Sequence, residues 1–534
     1  MTSATAVRRL HQVLLWPLRL MPPPGAELAL RRPWELLHAP GSPWQMQEDE
    51  YTGASDQFHE RHYQEFVTFK PYVQRFLYGE GRALSNAKDS RDSCMKVLRR
   101  HDVRRLRVQT HADAAPRELE VVHIDLYFFD DVDLALLNVE LAISDIELQE
   151  AQQLLYRCGR AFPGGWDAEG RPLHALQHAE WLDANGSVLA ASDSAEREPF
   201  IKHVHQHRSP RVGTHWAFLL EPLVSEHSES QAPLRYRQIE SYRMPQMAYL
   251  ALDDPKQLTR ADFISLSHAA APGEQGAAMA DFEARHCWDQ FWTDGGSAPQ
   301  TRYLCSGKVL VVVGRADAEF FRCRDRGVLA QFRHQHFLIF LIAHFQKAAL
   351  LAFSDRLVEA VRRLHIGDPE SVKRFKRAIR AAFEGFLRFT HRYWFHSISE
   401  QAQARALYAM CFQHLELDPL YDEVKQRITD LAGYLETDSL RRQANTVVRL
   451  TVVTIFGLIG TITTGFLGMN LLAEADASMA RRIFIFTVTM VATIALTVYT
   501  IAKSKRLSDF LDVLSEERLT ARQKMGAFIA VWRR

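Results

Sequence analysis

Two apolar stretches without a single charge lie close together near the end of this 534-residue chain. From Leu450 to Ala473, and again from Ile483 to Ala502, there is no Asp, Glu, Lys, Arg or His. At about 1.5 Å per residue, each stretch is long enough as a helix to cross a hydrocarbon core of about 30 Å. The first carries Gly468-Met469-Asn470 near its end, and the connection from Leu471 to Arg482 is too short to form a domain. The pattern predicts a membrane hairpin with the Gly-Met-Asn at its turn.

The flanking charges predict an orientation. Arg441, Arg442 and Arg449 precede the first stretch, and Lys503, Lys505 and Arg506 follow the second. In the connection, Arg481 and Arg482 are offset by the loop acids Glu474 and Asp476. A basic excess on both outer flanks places both termini in the cytoplasm, at the cell inner (plasma) membrane. Six cysteines without CxxC spacing agree with a reducing compartment. Arg8-Arg9 ahead of an apolar run resembles a signal peptide, but Pro17 and Arg19 interrupt it and no small-residue cleavage site follows. Val13 to Leu20 is expected to be an extended segment packed on the first domain.

Most of the chain belongs in water: the mean hydropathy is −0.21. With 65 basic against 64 acidic residues and no long Lys/Arg block, no nucleic-acid partner is expected.

The expected fold class is an α/β cytoplasmic domain followed by a long helical stalk and two C-terminal transmembrane helices. Residues 1–56 read as irregular, 57–315 as the α/β domain and 316–417 as a helical region. Residues 418–470 form stalk and first span, 471–482 an external loop, 483–502 the second span, and 503–534 an amphipathic cytoplasmic tail. Strands are expected at Val121–Phe129, Leu134–Ala142, Trp216–Leu220, Met247–Ala251 and Lys308–Val313. Ser144-Asp145 is expected to open a helix through Leu155, ended by Gly159. Later helices are expected at Phe332–Leu364, Pro369–Phe395 and Glu400–Leu415. Phe337 to Phe353 is apolar enough to be mistaken for a span, but His344, Gln346 and Lys347 inside it favour a buried soluble helix. Asp418-Pro419 then opens a helix that meets no further proline before Leu467, roughly 75 Å at about 1.5 Å per residue.

That order, a soluble domain, a stalk running into a span that ends in Gly-Met-Asn, a short loop, a second span and a basic flank, resembles the CorA-type divalent-cation channels and transporters. The specific match covers about Asn445 to Arg506. The resemblance implies a homopentamer with the first spans around an axial pore. Gly468, Met469 and Asn470 would form the selectivity filter, with Asn470 holding the hydrated ion. Aligned from the tripeptide, Val447, Leu450, Thr451, Leu458, Thr461 and Gly465 would line the pore. Leu467 stands where the family usually has an aromatic residue, and the span lacks the proline the family often has there. The family's acidic loop motif is absent as well, with Glu474 and Asp476 supplying charge instead.

The chemistry agrees with the resemblance. Mg²⁺ prefers six oxygen ligands and releases water reluctantly, so neutral amides can bind it through its hydration shell. Leu450 and Leu458 could close a pore by dewetting. The competing reading is that the threonines and glycines of the span only allow close helix packing. The transported ion is expected to be Mg²⁺, with Co²⁺, Ni²⁺ or Zn²⁺ as alternatives in the same family. A non-conducting membrane scaffold or sensor is a further class.

Other polar groups have simpler readings beside their functional ones. His203, His205 and His207 would share one face if extended and could bind Zn²⁺ or Ni²⁺; a solvated edge or loop is the plainer reading. Asp130, Asp131 and Asp133 could hold a regulatory cation, but Asp favours turns. Asp422, Glu423, Asp430, Glu436 and Asp438 read as a solvated stalk face. No nucleophile elbow, P-loop, HExxH or dinucleotide fingerprint occurs, so no enzyme activity and no cofactor are expected.

Overall fold

A computed structural model describes residues 5–21, 32–37, 41–47, 60–79, 94–129, 132–230, 232, 234–240, 243–272, 280–365, 368–468, 478–495 and 499. The chain divides into two compact units, Met1–Ile428 and Thr429–Arg534.

Among the described residues, the first unit is built on a fourteen-stranded mixed sheet. Its centre is made by β1 (Ala6–Met21), β2 (Arg117–Phe129), β3 (Val132–Glu147), β4 (Gln246–Leu252) and β5 (Val309–Arg315), in the order β2-β3-β1-β4-β5. The neighbours β2/β3, β3/β1 and β1/β4 are antiparallel, whereas β4 and β5 are parallel.

Alternation along each strand explains the near-continuous apolar runs. On β1, Leu10, Leu14, Trp16 and Leu18 point to one face, where Trp16 meets Trp216 and Tyr236 edge-on. Ile124, Leu126 and Phe128 of β2 and Leu137, Val139 and Leu141 of β3 join that face. The intervening residues point to a second face, covered by the helix α1 (Phe337–Arg362). There Phe129 stacks on Phe345 with centroids 4.0 Å apart, and Tyr127 meets Phe337. A sheet covered on both sides needs apolar residues at nearly every position. Toward its C-terminal end α1 is tied to the sheet by charge: Asp355 and Glu359 pair with Arg19 and Arg237, and Arg356 with Asp133.

Next along the chain come α2 (Pro369–Tyr393), α3 (Ala402–His414) and α4 (Leu417–Gly468). Asp368 caps α2, accepting from the Glu370 amide, with Pro369 at the first helical position.

The expected fold class is corrected on two counts. The sheet is mixed and mostly antiparallel rather than an alternating α/β arrangement, because short connections such as the one between β2 and β3 can only join antiparallel neighbours. Among the described residues, one helix is long and apolar enough to cross a membrane by length and composition, Val328–Arg362, and it is mostly buried inside the first unit. It is the core helix of the sheet, and the two-span membrane end is not what the described residues display.

Local expectations also shift. The N-terminal region expected to be irregular contains the 16-residue strand β1 at the centre of the sheet. Ser144-Asp145 does not open a helix. β3 continues to Glu147, with Asp145 at φ 53° and paired to Arg8, before a helix at Leu148–Arg157. Trp216 lies on a short helix, Thr214–Leu220, instead of a strand, because the Trp side chain is buried against Trp16 and Trp181 from that geometry. A short apolar run carries no period that separates the two.

Candidate functional site

The stalk acids and the expected pore-lining residues lie on α4, which runs 52 residues from Leu417 to Gly468 without a break. Asp422, Glu423 and Asp430 are exposed, and Glu423 pairs with Arg427 one turn on at 2.5 Å. The side chains of Glu436 and Asp438 lie outside the described residues.

In the second unit, Val447, Leu450, Thr451, Leu458, Thr461 and Gly465 fall on one side of α4, within about 60° of Val447 at about 100° per residue. All six are exposed. Val447, Leu450 and Leu458 keep 62%, 67% and 59% of their surface open, unusual for large apolar residues aligned on one stripe. The Thr451 hydroxyl donates to the Val447 carbonyl at 2.9 Å, and Thr461 to Gly457 at 2.9 Å. Each hydroxyl proton is thereby held by the helix itself, leaving oxygen lone pairs facing outward.

Residues 479–495 form a second helix in this unit. It meets α4 at Gly460, where an added Cβ would come within 2.6 Å of the Thr493 methyl carbon. Gly460 sits about 140° round the helix from Val447. The small-residue packing reading therefore holds for Gly460, while the stripe from Val447 to Gly465 lies away from that contact. Gly468 is the last residue of α4 and is exposed. Met469, Asn470, Glu474 and Asp476 lie outside the described residues.

The three-histidine segment is not extended. It forms the end of a helix, Arg197–His207. His203 and His207 meet one turn apart with centroids at 4.6 Å, and His227 stacks on His207 at 4.8 Å, while His205 falls on another side. Asp133 is spent on Arg356, and Asp130 and Asp131 lie outside the described residues. Among the described residues, no group of three or more His, Cys, Asp or Glu side chains is arranged to hold a metal ion.

Two constellations had no signal in the sequence. Glu140, buried on β3, receives His11 at 3.1 Å, His123 at 2.7 Å and Arg333 at 2.7 Å. Burial opposes its ionisation, but the bonds from His11 and His123 and the charges of His123 and Arg333 hold the carboxyl well below its usual range. Arg333 comes from a π-helical turn, Phe332–His336, directly ahead of α1.

The second constellation is a cavity of about 610 Å³ lined by Arg243, Lys308, Lys347, His268, His286 and His414 among others. The three histidines are 18 and 128 positions apart and share no motif; each is the last residue of its own helix.

No family model matches the chain, and comparison with curated proteins and with solved structures finds no match.

Proposed function

We propose that the chain transports divalent cations, Mg²⁺ foremost, as a homo-oligomer, with five copies suggested by the resemblance. The observation that carries this reading is the exposed stripe of Val447, Leu450, Leu458 and Thr461 on an unbroken helix that leads into Gly468-Met469-Asn470. Large apolar side chains left open in register call for an apolar partner, and copies of the same helix around an axis supply one. The outward lone pairs of Thr451 and Thr461 suit a hydrated cation, and Leu450 and Leu458 suit a constriction that gates by dewetting. The lipid bilayer of the plasma membrane is the proposed setting. Asn470 is the proposed filter, acting through the water shell of the ion.

The test is purified protein in liposomes with an internal Mg²⁺ indicator, and a competition series of Co²⁺, Ni²⁺ and Zn²⁺. Wild type admits Mg²⁺, and Asn470→Gly abolishes selective uptake while native mass spectrometry still reports the same oligomer. An asparagine that only ends the helix tolerates glycine, because glycine takes the left-handed conformation more easily. Uptake by Asn470→Gly at the wild-type rate, or a wild-type monomer, rejects the reading.

A further inference from the structure

We propose that His203 and His207, joined by His227, form a surface site for a late first-row divalent cation, Ni²⁺ or Zn²⁺. The site lies wholly within the first unit and is independent of the transport reading. An extended segment would have offered His203, His205 and His207; the helix turns His205 away, and His227 from another element takes its place.

Helical geometry makes the pair. His203 and His207 are four residues apart on the helix Arg197–His207, the spacing at which two imidazoles on one helix face share a zinc ion. Their centroids are 4.6 Å apart. His205 lies roughly 160° round the helix from both, at about 100° per residue. His227 comes from the turn after a short strand, Val224–Ser225, which pairs in parallel with Arg235–Gln238. The Glu226 amide donates to the Tyr236 carbonyl and the Ser228 amide to the Ser225 carbonyl, each at 3.0 Å, so the backbone is held on both sides of His227. The His227 ring stands 4.8 Å from His207 and 6.1 Å from His203, centroid to centroid.

The donors suit a borderline-soft ion. Imidazole nitrogen binds Ni²⁺ and Zn²⁺ well, whereas Mg²⁺ prefers oxygen. Among the described residues, neither His203 nor His207 is hydrogen-bonded to the protein, so their ring nitrogens are open to an ion. Glu226 Oε1 lies 3.5 Å from His227 Nε2, and Arg237 holds the other carboxylate oxygen at 2.5 Å. A carboxylate on one ring nitrogen is the usual way to orient a metal-ligating imidazole, and it leaves Nδ1 for the ion. Arg211, the arginine that acts on His203, is paired with Asp193 at 2.7 Å and lies over the Phe200 ring. Without an ion the three rings do not converge on one point, because His207 and His227 stack with planes 14° from parallel. His207 is exposed, and turning its ring edge-on to meet the ion is a side-chain motion of picoseconds to nanoseconds. Water completes the coordination shell, as at zinc sites with three protein ligands.

The experiment is calorimetric titration of the full chain in detergent with NiCl₂, ZnCl₂ and MgCl₂, for wild type and for Asn470→Gly. The expected result is saturable binding of Ni²⁺ or Zn²⁺ that Asn470→Gly retains, which separates this site from the proposed filter, and that excess Mg²⁺ does not displace. His203→Gln, His207→Gln and His227→Gln each weaken it about tenfold or more, the scale on which metal sites respond to loss of a supporting group. His205→Gln leaves it unchanged. None of these side chains belongs to the core, and thermal melting of each variant checks that the fold is intact. No saturable binding of either ion below about 1 mM overturns the proposal. So does binding lost in Asn470→Gly, binding that the His203, His207 and His227 variants leave unchanged, or binding that His205→Gln weakens as much as they do.

Discussion

Arg333 and Glu140 join the turn ahead of the core helix to the middle of the sheet, Nε to Oε1 at 2.7 Å and Nη2 to Oε2 at 3.3 Å. Glu140 keeps 2% of its side-chain surface and Arg333 22%, so removing the arginine leaves a carboxylate in the interior. Arg333→Met should destabilise the first unit by about 3 kcal/mol, at the lower end for breaking a buried pair. Arg333→Met with Glu140→Gln should recover part of that loss. Urea unfolding followed by tryptophan fluorescence measures both. A single variant as stable as wild type would mean that His11 and His123 alone satisfy the acid.

Acid should loosen the same unit through its buried imidazoles. Burial lowers His336 to about 3 and His344 to about 4, from 6.5. Both therefore stay neutral in the folded chain while the unfolded chain takes up protons below about pH 6.5. Stability is full above that pH and falls as the pH drops toward the folded values. By pH 5 each site costs up to ~2 kcal/mol. Unfolding midpoints at pH 8, 7, 6 and 5 should fall accordingly, and His336→Leu should show a shallower decline. An unchanged slope in that variant counts against the burial argument.

The contact of Gly460 with Thr493 can be trapped. A Cβ on Gly460 would stand 3.8 Å from the Thr493 Cβ, within the spacing of a disulfide. Gly460→Cys with Thr493→Cys, in a chain whose native cysteines are replaced by serine, should oxidise within one chain. Mass spectrometry of a tryptic digest should find the crosslinked pair. Gly460→Leu should prevent the two helices from approaching. Crosslinks found only between chains would place this pairing in the oligomer.

Thr461 separates a packing role from an ion-facing one. Thr461→Ser keeps the hydroxyl and should keep Mg²⁺ uptake. Thr461→Val keeps the shape and should slow uptake about tenfold, the effect of ~1.4 kcal/mol on a barrier. Equal uptake by the two variants in liposomes assigns Thr461 to packing.

Strands and helices with a long, repeated period were legible from residues alone. Val121–Phe129 and Leu134–Ala142 fall within β2 and β3, and Met247–Ala251 within β4. The buried character of Phe337–Phe353 followed from His344, Gln346 and Lys347. In the fold, His344 bonds the Gly307 carbonyl, Gln346 the carbonyls of Tyr393 and Phe395, and Lys347 pairs with Glu240. Short elements were not legible: Trp216 and Ser144-Asp145 sit where a few residues fit either state, and tertiary burial chose between them.

The sequence by itself pointed to α4 and its reach toward Gly468, because Asp418-Pro419 favours a helix start and no further proline interrupts the run; the helix begins one residue earlier, at Leu417. It also determined that Val447, Leu450, Leu458 and Thr461 share a stripe, which follows from helical geometry alone. Only the tertiary structure decided that β1 lies at the centre of the sheet, and that β4 and β5 pair in parallel. Only it brought His268, His286 and His414 to one cavity. Those outcomes depend on which distant surfaces bury each other best, a free-energy balance summed over the whole fold that no local pattern encodes.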